Sequence, residues 1–87
     1  MSKASDKVNS QELYRAILSL ESEDECRRFF KDLCTIAELR AMEQRYDVAV
    51  LLDQGLVYSD ILERTGASSA TISRVNKALN YGEEGYK

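Results

Sequence analysis

Residues 58–79 read YSDILERTGASSATISRVNKAL, which places two short helical patterns on either side of one tight turn. Ile61 and Leu62 supply the buried side of the first helix. Gly66 stands where that helix must stop, because glycine adopts the left-handed backbone conformation that the turn needs. Ala67 is small enough to let the next helix approach closely. This order of residues predicts a helix-turn-helix.

The second helix of the motif has a definite start and one apolar stripe. Ser68 or Ser69 can accept hydrogen bonds from its first free N–H groups. Apolar side chains recur at helical spacing at Ile72, Val75 and Leu79. The other face carries hydrogen-bond donors and cations at Ser69, Thr71 or Ser73, Arg74, Lys77 and Asn80. Such a face suits phosphates and base edges, so it predicts DNA binding; an ordinary amphipathic hairpin with a solvated polar face is the plainer alternative.

The composition of the 87-residue chain favours helix almost throughout. It contains no Pro, no Trp and no His and only four Gly. We therefore predict an all-α protein of about five helices. A chain of this length buries only about 60 to 65% of the surface that its unfolded form exposes, so further burial against a partner chain is expected.

The net charge of −3 weighs against nucleic-acid binding when it is taken over the whole chain, because most such domains are basic. The distribution of charge points the other way. Eleven of the fifteen acidic residues lie in residues 1–54, whereas residues 66–82 carry Arg74 and Lys77 and no acid. We expect the acidic part to face away from a duplex and the affinity of one monomer to be modest.

Residues 10–80 are predicted to form a single helical domain with the helix-turn-helix at residues 57–79. Residues 1–9 hold too few apolar side chains to pack, which predicts a disordered leader. Residues 81–87 end in the acidic, glycine-containing GEEGYK and are predicted to be a flexible tail.

Two capping boxes divide the segment before the helix-turn-helix. A first amphipathic helix is expected to end near Glu21. Ser22 with Glu25 then starts a second helix, and Thr35 with Glu38 starts a third. The second helix has a wide apolar face made of Cys26, Phe29, Phe30, Leu33 and Cys34.

The third helix is predicted to run from about Ile36 to Asp53, where Gly55 closes it. Its apolar residues are Leu39, Met42, Tyr46, Ala49, Val50 and Leu51 or Leu52. Adjacent apolar pairs such as Phe29 with Phe30 place apolar surface on more than one side of a helix. This pattern predicts a homodimer, with a compact monomeric five-helix bundle as the alternative.

The remaining sequence excludes several functions. Cys26 and Cys34 are expected about 12 Å apart in one helix, beyond disulfide reach and typical of a reducing compartment. No segment approaches the roughly 18 to 20 apolar residues that span a bilayer, so we predict a soluble, cytoplasmic protein. With no His, no phosphate loop and no metal-ligand spacing, we expect no enzyme activity, no metal and no cofactor.

Three segments resemble the Trp repressor family: TIAELRAMEQR at residues 35–45, LLDQG at residues 51–55 and TGASSATISRVNKAL at residues 65–79. The similarity is greatest to the small Trp-repressor-like YerC/YecD branch. It covers roughly half of the chain strongly, and the helical first half fits the family in order and length.

The resemblance implies an all-helical, intertwined homodimer whose recognition helices enter the major groove of a palindromic operator. The Trp repressor is itself one of the dimers for which half-sites about 34 Å apart are established, and the resemblance implies that spacing here. By position, Tyr58 and Ser59 are candidates for phosphate contacts. The recognition helix would present to DNA the residues Ser68, Ser69, Ala70, Thr71, Ser73, Arg74 and Lys77.

An effector site is a weaker implication. Arg45 and Arg74 match the two arginines that clamp tryptophan in the tryptophan-binding members, which makes an amino-acid corepressor conceivable. Val75 and Ala78 replace a glycine and a serine of that pocket, so we do not expect tryptophan to bind. Arg45 can instead pair with Asp47, with Glu43 or with a carboxylate of the helix-turn-helix.

Two functions therefore remain in competition. The leading hypothesis is a dimeric, DNA-binding transcriptional regulator, most simply a repressor. The rival is a protein-interaction module on a helix-turn-helix scaffold that lacks DNA affinity, which the net acidity favours slightly.

Overall fold

A computed structural model describes residues 11–86 of the chain. Within this range the backbone forms helices and turns and no strand. The helices are α1 (Gln11–Leu18), α2 (Glu23–Leu33), α3 (Ile36–Asp53), α4 (Tyr58–Thr65) and α5 (Ser69–Tyr81). The predicted all-α class is confirmed, and the predicted leader at residues 1–9 lies outside the described residues. None of these five helices combines the length and the apolar character that crossing a membrane requires.

The backbone separates into two compact units at residue 33. In the first unit, α1 ends at Leu18, three residues before the predicted end. The capping interaction at the start of α2 also differs in one partner. The Ser22 hydroxyl accepts from the Glu25 N–H at 3.1 Å, but the Glu25 carboxylate accepts from the Glu21 N–H, at 2.8 Å, instead of from Ser22. Neither helix buries any of its side chains fully within the described chain.

The second unit contains α3, α4 and α5. The capping box at its start forms as predicted: the Thr35 hydroxyl accepts from the Glu38 N–H at 3.1 Å, and the Glu38 carboxylate accepts from the Thr35 N–H at 2.8 Å. Glycines in the left-handed conformation follow α3 and α4, with φ values of 88° at Gly55 and 73° at Gly66. These caps fix the bounds of α3 and α4 close to their predicted positions.

The three helices of this unit share a small core. Its fully buried members are Val48, Ala49, Ile61, Ala67, Ile72 and Val75. Tyr86, near the end of the chain, packs against this core, and its ring centroid lies 6.1 Å from that of Tyr46. The helix-turn-helix therefore rests on one side of α3, around Val48.

Two details of the predicted packing are wrong. Val48 was not among the apolar positions expected to pack, yet it is completely buried, whereas Tyr46 and Val50 are exposed. Apolar residues surround α3, so its sequence does not identify one buried stripe. Likewise Ile61 is completely buried while its neighbour Leu62 is 42% exposed, because α4 is short and turns only one edge toward α3 and α5.

Candidate nucleic-acid interface

The turn between α4 and α5 sets where the recognition helix begins. Ser68 is the N-cap residue, with extended backbone angles, and its hydroxyl accepts a hydrogen bond from the Thr71 N–H at 3.1 Å. The same hydroxyl donates to the Thr71 hydroxyl at 3.1 Å. Of the two serines considered from the sequence, Ser68 therefore caps the helix, and Ser69 is its first residue.

The exposed side of α5 gathers most of the residues that the resemblance singled out. At about 100° per residue, its exposed side chains fall within an arc of about 140°. These exposed residues are Ser69, Ala70, Ser73, Arg74, Lys77, Asn80 and Tyr81. The buried Ile72 and Val75 lie on the opposite side, and Thr71 is half-buried at the edge. The predicted donor face and the predicted apolar stripe thus belong to opposite sides of one helix.

The cations on this face are not neutralised by neighbouring acids. Within residues 11–86, all ion pairs lie on α2, where Arg27 pairs with Glu23 and Asp24, and Arg28 pairs with Asp24 at 3.2 Å. Arg74 and Lys77 take no part in them. The α5 face therefore carries positive charge that remains available to a partner, although the chain as a whole is acidic.

The start of α4 offers a second group of donors. Its N-cap residue, Val57, has no polar side chain, and the Val57 carbonyl accepts from the N–H groups of Asp60 and Ile61. Tyr58 and Ser59, the first residues of α4, are exposed. Free N–H groups and the Ser59 hydroxyl at a helix N-terminus suit a phosphate, while the Asp60 carboxylate in the same turn opposes one.

The two arginines considered for an effector site lie on different helices, Arg45 on α3 and Arg74 on α5. Arg45 is half-buried and forms no ion pair with any described carboxylate, so the alternative of a pairing with Asp47, Glu43 or the helix-turn-helix is not observed. Val75, which follows Arg74, is 1% exposed and belongs to the core. Its side chain is held by packing against the other core residues and cannot move aside without opening a cavity.

One polar contact between helices has no signal in the sequence. The side-chain amide of Gln44 on α3 donates a hydrogen bond to the carbonyl oxygen of Thr65, the last residue of α4, at 3.2 Å. The Thr65 hydroxyl donates to the Ile61 carbonyl at 2.8 Å and accepts from the Ala67 N–H at 3.1 Å. Any residue has a backbone carbonyl, so no residue pattern could have identified this partner.

The described residues contain no group of three or more Cys, Asp or Glu side chains that could hold a metal ion. Both cysteines are free and half-buried, and Cys34 lies one residue beyond the end of α2 instead of in the same helix as Cys26.

Comparison with known proteins identifies related chains over nearly the whole length. The sequence profile described as Trp repressor protein matches residues 9–87. The uncharacterized protein YerC of Bacillus subtilis (strain 168) is 49% identical, over 94% of this chain and 82% of YerC. A TrpR-like protein from Eubacterium eligens, known from its crystal structure, is 52% identical with a TM-score of 0.87, over 92% of this chain and 84% of its own.

A crystal structure of a candidate Trp repressor from Staphylococcus aureus is also similar. It is 47% identical with a TM-score of 0.84, over 87% of this chain and 76% of its own. At such identities the likeness extends to sequence as well as to backbone. These similarities confirm the resemblance and the fold that the three sequence segments predicted.

Proposed function

Because the chain belongs to the Trp repressor family, we propose that it is a sequence-specific, DNA-binding transcriptional regulator, acting as a repressor by occupying a palindromic operator. In this proposal α5 enters the major groove and presents Ser69, Ala70, Ser73, Arg74 and Lys77 to bases and phosphates, with Thr71 at the edge. Tyr58 and Ser59 approach the phosphate backbone from the start of α4.

One observation carries the proposal. The exposed face of α5 holds hydroxyls and two unpaired cations and no carboxylate, in a chain whose other charges are mostly acidic. A helix that was only a solvated surface would have no need to exclude acids over residues 66–82. Phosphates repel carboxylates, so a DNA-binding helix does have that need.

A homodimer is part of the proposal. Residues 11–33 fold into two helices that bury no side chain fully, and Leu18 and Leu33 are 84% and 52% exposed. Ile36, at the start of α3, is 74% exposed. Apolar side chains at this density need a cover, and a second copy with interleaved helices would supply it. Two copies of α5 would then meet two half-sites about one helical turn apart.

We further propose that the regulator needs neither an amino-acid corepressor nor a metal, and that it has no enzymatic activity. The buried Val75 side chain occupies the position that tryptophan-binding members leave to glycine, which supports binding to DNA without tryptophan. A protein with this function works in the cytoplasm, where the DNA is.

The test is selection of binding sites from a random duplex pool with purified protein, at two salt concentrations and without added amino acid. The proposal predicts enrichment of a two-fold symmetric site and weaker binding at the higher salt concentration. If no site is enriched, even after tryptophan and a mixture of metabolites are added, the protein is instead an interaction module, which its net charge of −3 would suit.

A further inference from the structure

We propose that Gln44 is a positioning residue that holds the helix-turn-helix on α3 in the one orientation that fits the operator; the inference rests on the proposed DNA-binding function. Its amide donates to the Thr65 carbonyl across 21 sequence positions. Every other side-chain hydrogen bond among residues 11–86 spans at most four positions. Within that range, this is the only side-chain hydrogen bond that ties the helix-turn-helix to α3.

The acceptor of this bond lies where α4 would otherwise leave a group without a partner. The last carbonyls of a helix receive no hydrogen bond from an N–H group of the same helix. Among the described donors, only the Gln44 amide reaches the Thr65 carbonyl. Because the Thr65 hydroxyl also bonds to Ile61 and Ala67, one residue connects α3, the body of α4 and the turn.

The position of Thr65 governs the position of the recognition helix. Only Gly66, Ala67 and Ser68 separate it from the first residue of α5. Gly66 is fixed in a left-handed conformation and Ala67 is 1% exposed, so the turn has little freedom to absorb a displacement. A rotation of α4 relative to α3 would therefore displace the start of α5 by a similar amount.

The apolar core constrains this rotation less sharply than a hydrogen bond does. Val48, Ile61 and Ile72 hold the helices together by close packing, but burial of apolar surface is not directional. A hydrogen bond weakens steeply when its angle departs from linear. Gln44 lies one helical turn before Val48 on α3, at the margin of the core. A directional bond at this position restricts the orientation of α4.

Orientation matters most to a dimer that binds two half-sites. Both recognition helices must match successive major grooves at one separation. A helix-turn-helix that rocks on α3 would still recognise a half-site, but it would discriminate less between operators of different spacing. The preference for spacing is therefore the property that Gln44 should control.

The test compares four variants, Gln44→Met, Gln44→Asn, Gln44→Lys and Gln54→Met, on the selected operator and on versions with one base pair inserted or removed between the half-sites. Gln44→Met keeps the size of the side chain and removes the donor. Gln44→Lys restores a donor, and its ammonium is suited to the C-terminal carbonyls of α4. Gln54→Met makes the same chemical change at an exposed residue whose side chain bonds to no described group.

We expect Gln44→Met to bind the selected operator about fivefold more weakly for each subunit, the factor that one neutral hydrogen bond provides, which is up to about 25-fold for a dimer, and to lose most of its preference over the altered spacings. Binding to an isolated half-site should be unchanged. Gln44→Lys should restore the preference, and Gln54→Met should keep it. Circular dichroism melts must show that each variant is folded at the assay temperature.

Several outcomes would overturn the proposal. If folded Gln44→Met keeps both affinity and spacing preference, the bond does not position the helix-turn-helix, although wild-type binding would still support the proposed function. If Gln44→Met and the shorter Gln44→Asn both fail to fold while Gln44→Lys folds, the bond is a general structural support. If the wild-type protein selects no duplex, the proposed function fails and this inference with it.

Discussion

The Ser68 hydroxyl accepts a hydrogen bond from the Thr71 N–H and donates another to the Thr71 hydroxyl, each at 3.1 Å. Ser68 therefore caps α5 at the position where the family resemblance places a DNA contact. Thr71 is likewise occupied from within the protein and half-buried. The free donors nearest the start of α5 belong to Ser69 and Ser73, which are exposed and bond to no described side chain.

Substitution can separate the role of Ser68 as a helix cap from a contact with DNA. Ser68→Ala should destabilise the protein by about 1 kcal/mol, because it removes the N-cap. Ser68→Asp should keep the stability of the wild type, since aspartate caps as well as serine and favours a helix N-terminus. Its charge should nevertheless lower operator affinity by about tenfold or more. Urea unfolding and operator titration measure the two effects, and equal operator affinity of Ser68→Asp and wild type would place the turn away from DNA.

The cations of α5 should determine how binding responds to salt. Each phosphate contact contributes a slope of about −0.9 to a plot of log affinity against log salt concentration. In a dimer, Lys77→Ala removes two such contacts and should reduce the magnitude of the slope by about 1.8. Arg28→Ala, on α2 and paired with Asp24, is the control and should leave the slope unchanged.

Arg74 allows phosphate and base contacts to be distinguished. If its guanidinium binds phosphate, Arg74→Ala should change the salt slope as Lys77→Ala does. If it binds a base edge, the slope should stay nearly constant while discrimination at one operator position falls by about 1 to 3 kcal/mol. A variant that changes neither property would show that Arg74 lies outside the interface.

Local signals in the sequence predicted the bounds of α3 and α4, although α1 ends three residues before its predicted end. Thr35 with Glu38 marked the start of α3, and Gly66 marked the end of α4, because caps act through neighbouring residues. The face of α3 that packs was not predictable in the same way. Apolar side chains surround that helix, so the burial of Val48 and the exposure of Tyr46 depend on the position of α4 and α5 in space.

The same distinction applies to the candidate site, where some features follow from local sequence and others depend on contacts between segments. The polar face of α5 follows from helical spacing alone, and so does its apolar stripe of Ile72, Val75 and Leu79. The bond from Gln44 to Thr65 depends on two segments that meet only after folding. The alternative pairing of Arg45 is not formed for a related reason, since a nearby carboxylate in the sequence does not fix where either side chain points.

Ile61 and Leu62 provide a direct test of how α4 packs. Ile61 is completely buried, so Ile61→Ala should lower the free energy of unfolding by about 2 to 5 kcal/mol. Leu62 is 42% exposed, and Leu62→Ala should cost about 1 kcal/mol or less. Urea unfolding at one protein concentration gives both values. Equal losses would mean that a partner covers Leu62.

The proposed dimer can be tested at Ile36, which is the first residue of α3 and 74% exposed. In a monomer, Ile36→Glu should be neutral or slightly stabilising, because an acid in the first turn favours the helix dipole. If Ile36 is covered by a second copy, the same change buries a charge and should shift the protein toward monomer. Sedimentation equilibrium over a range of protein concentrations measures this shift.

Ser69→Glu is the matched control, because Ser69 is likewise exposed and is the first residue of its helix. It should leave the dimer intact while it abolishes operator binding, since α5 is proposed to face DNA and not the partner. The opposite pattern, with Ile36→Glu fully dimeric, would mean that the apolar side chains at the start of α3 are simply solvated. The dimer contact would then have to lie elsewhere, with the exposed leucines of residues 11–33 as the remaining candidates.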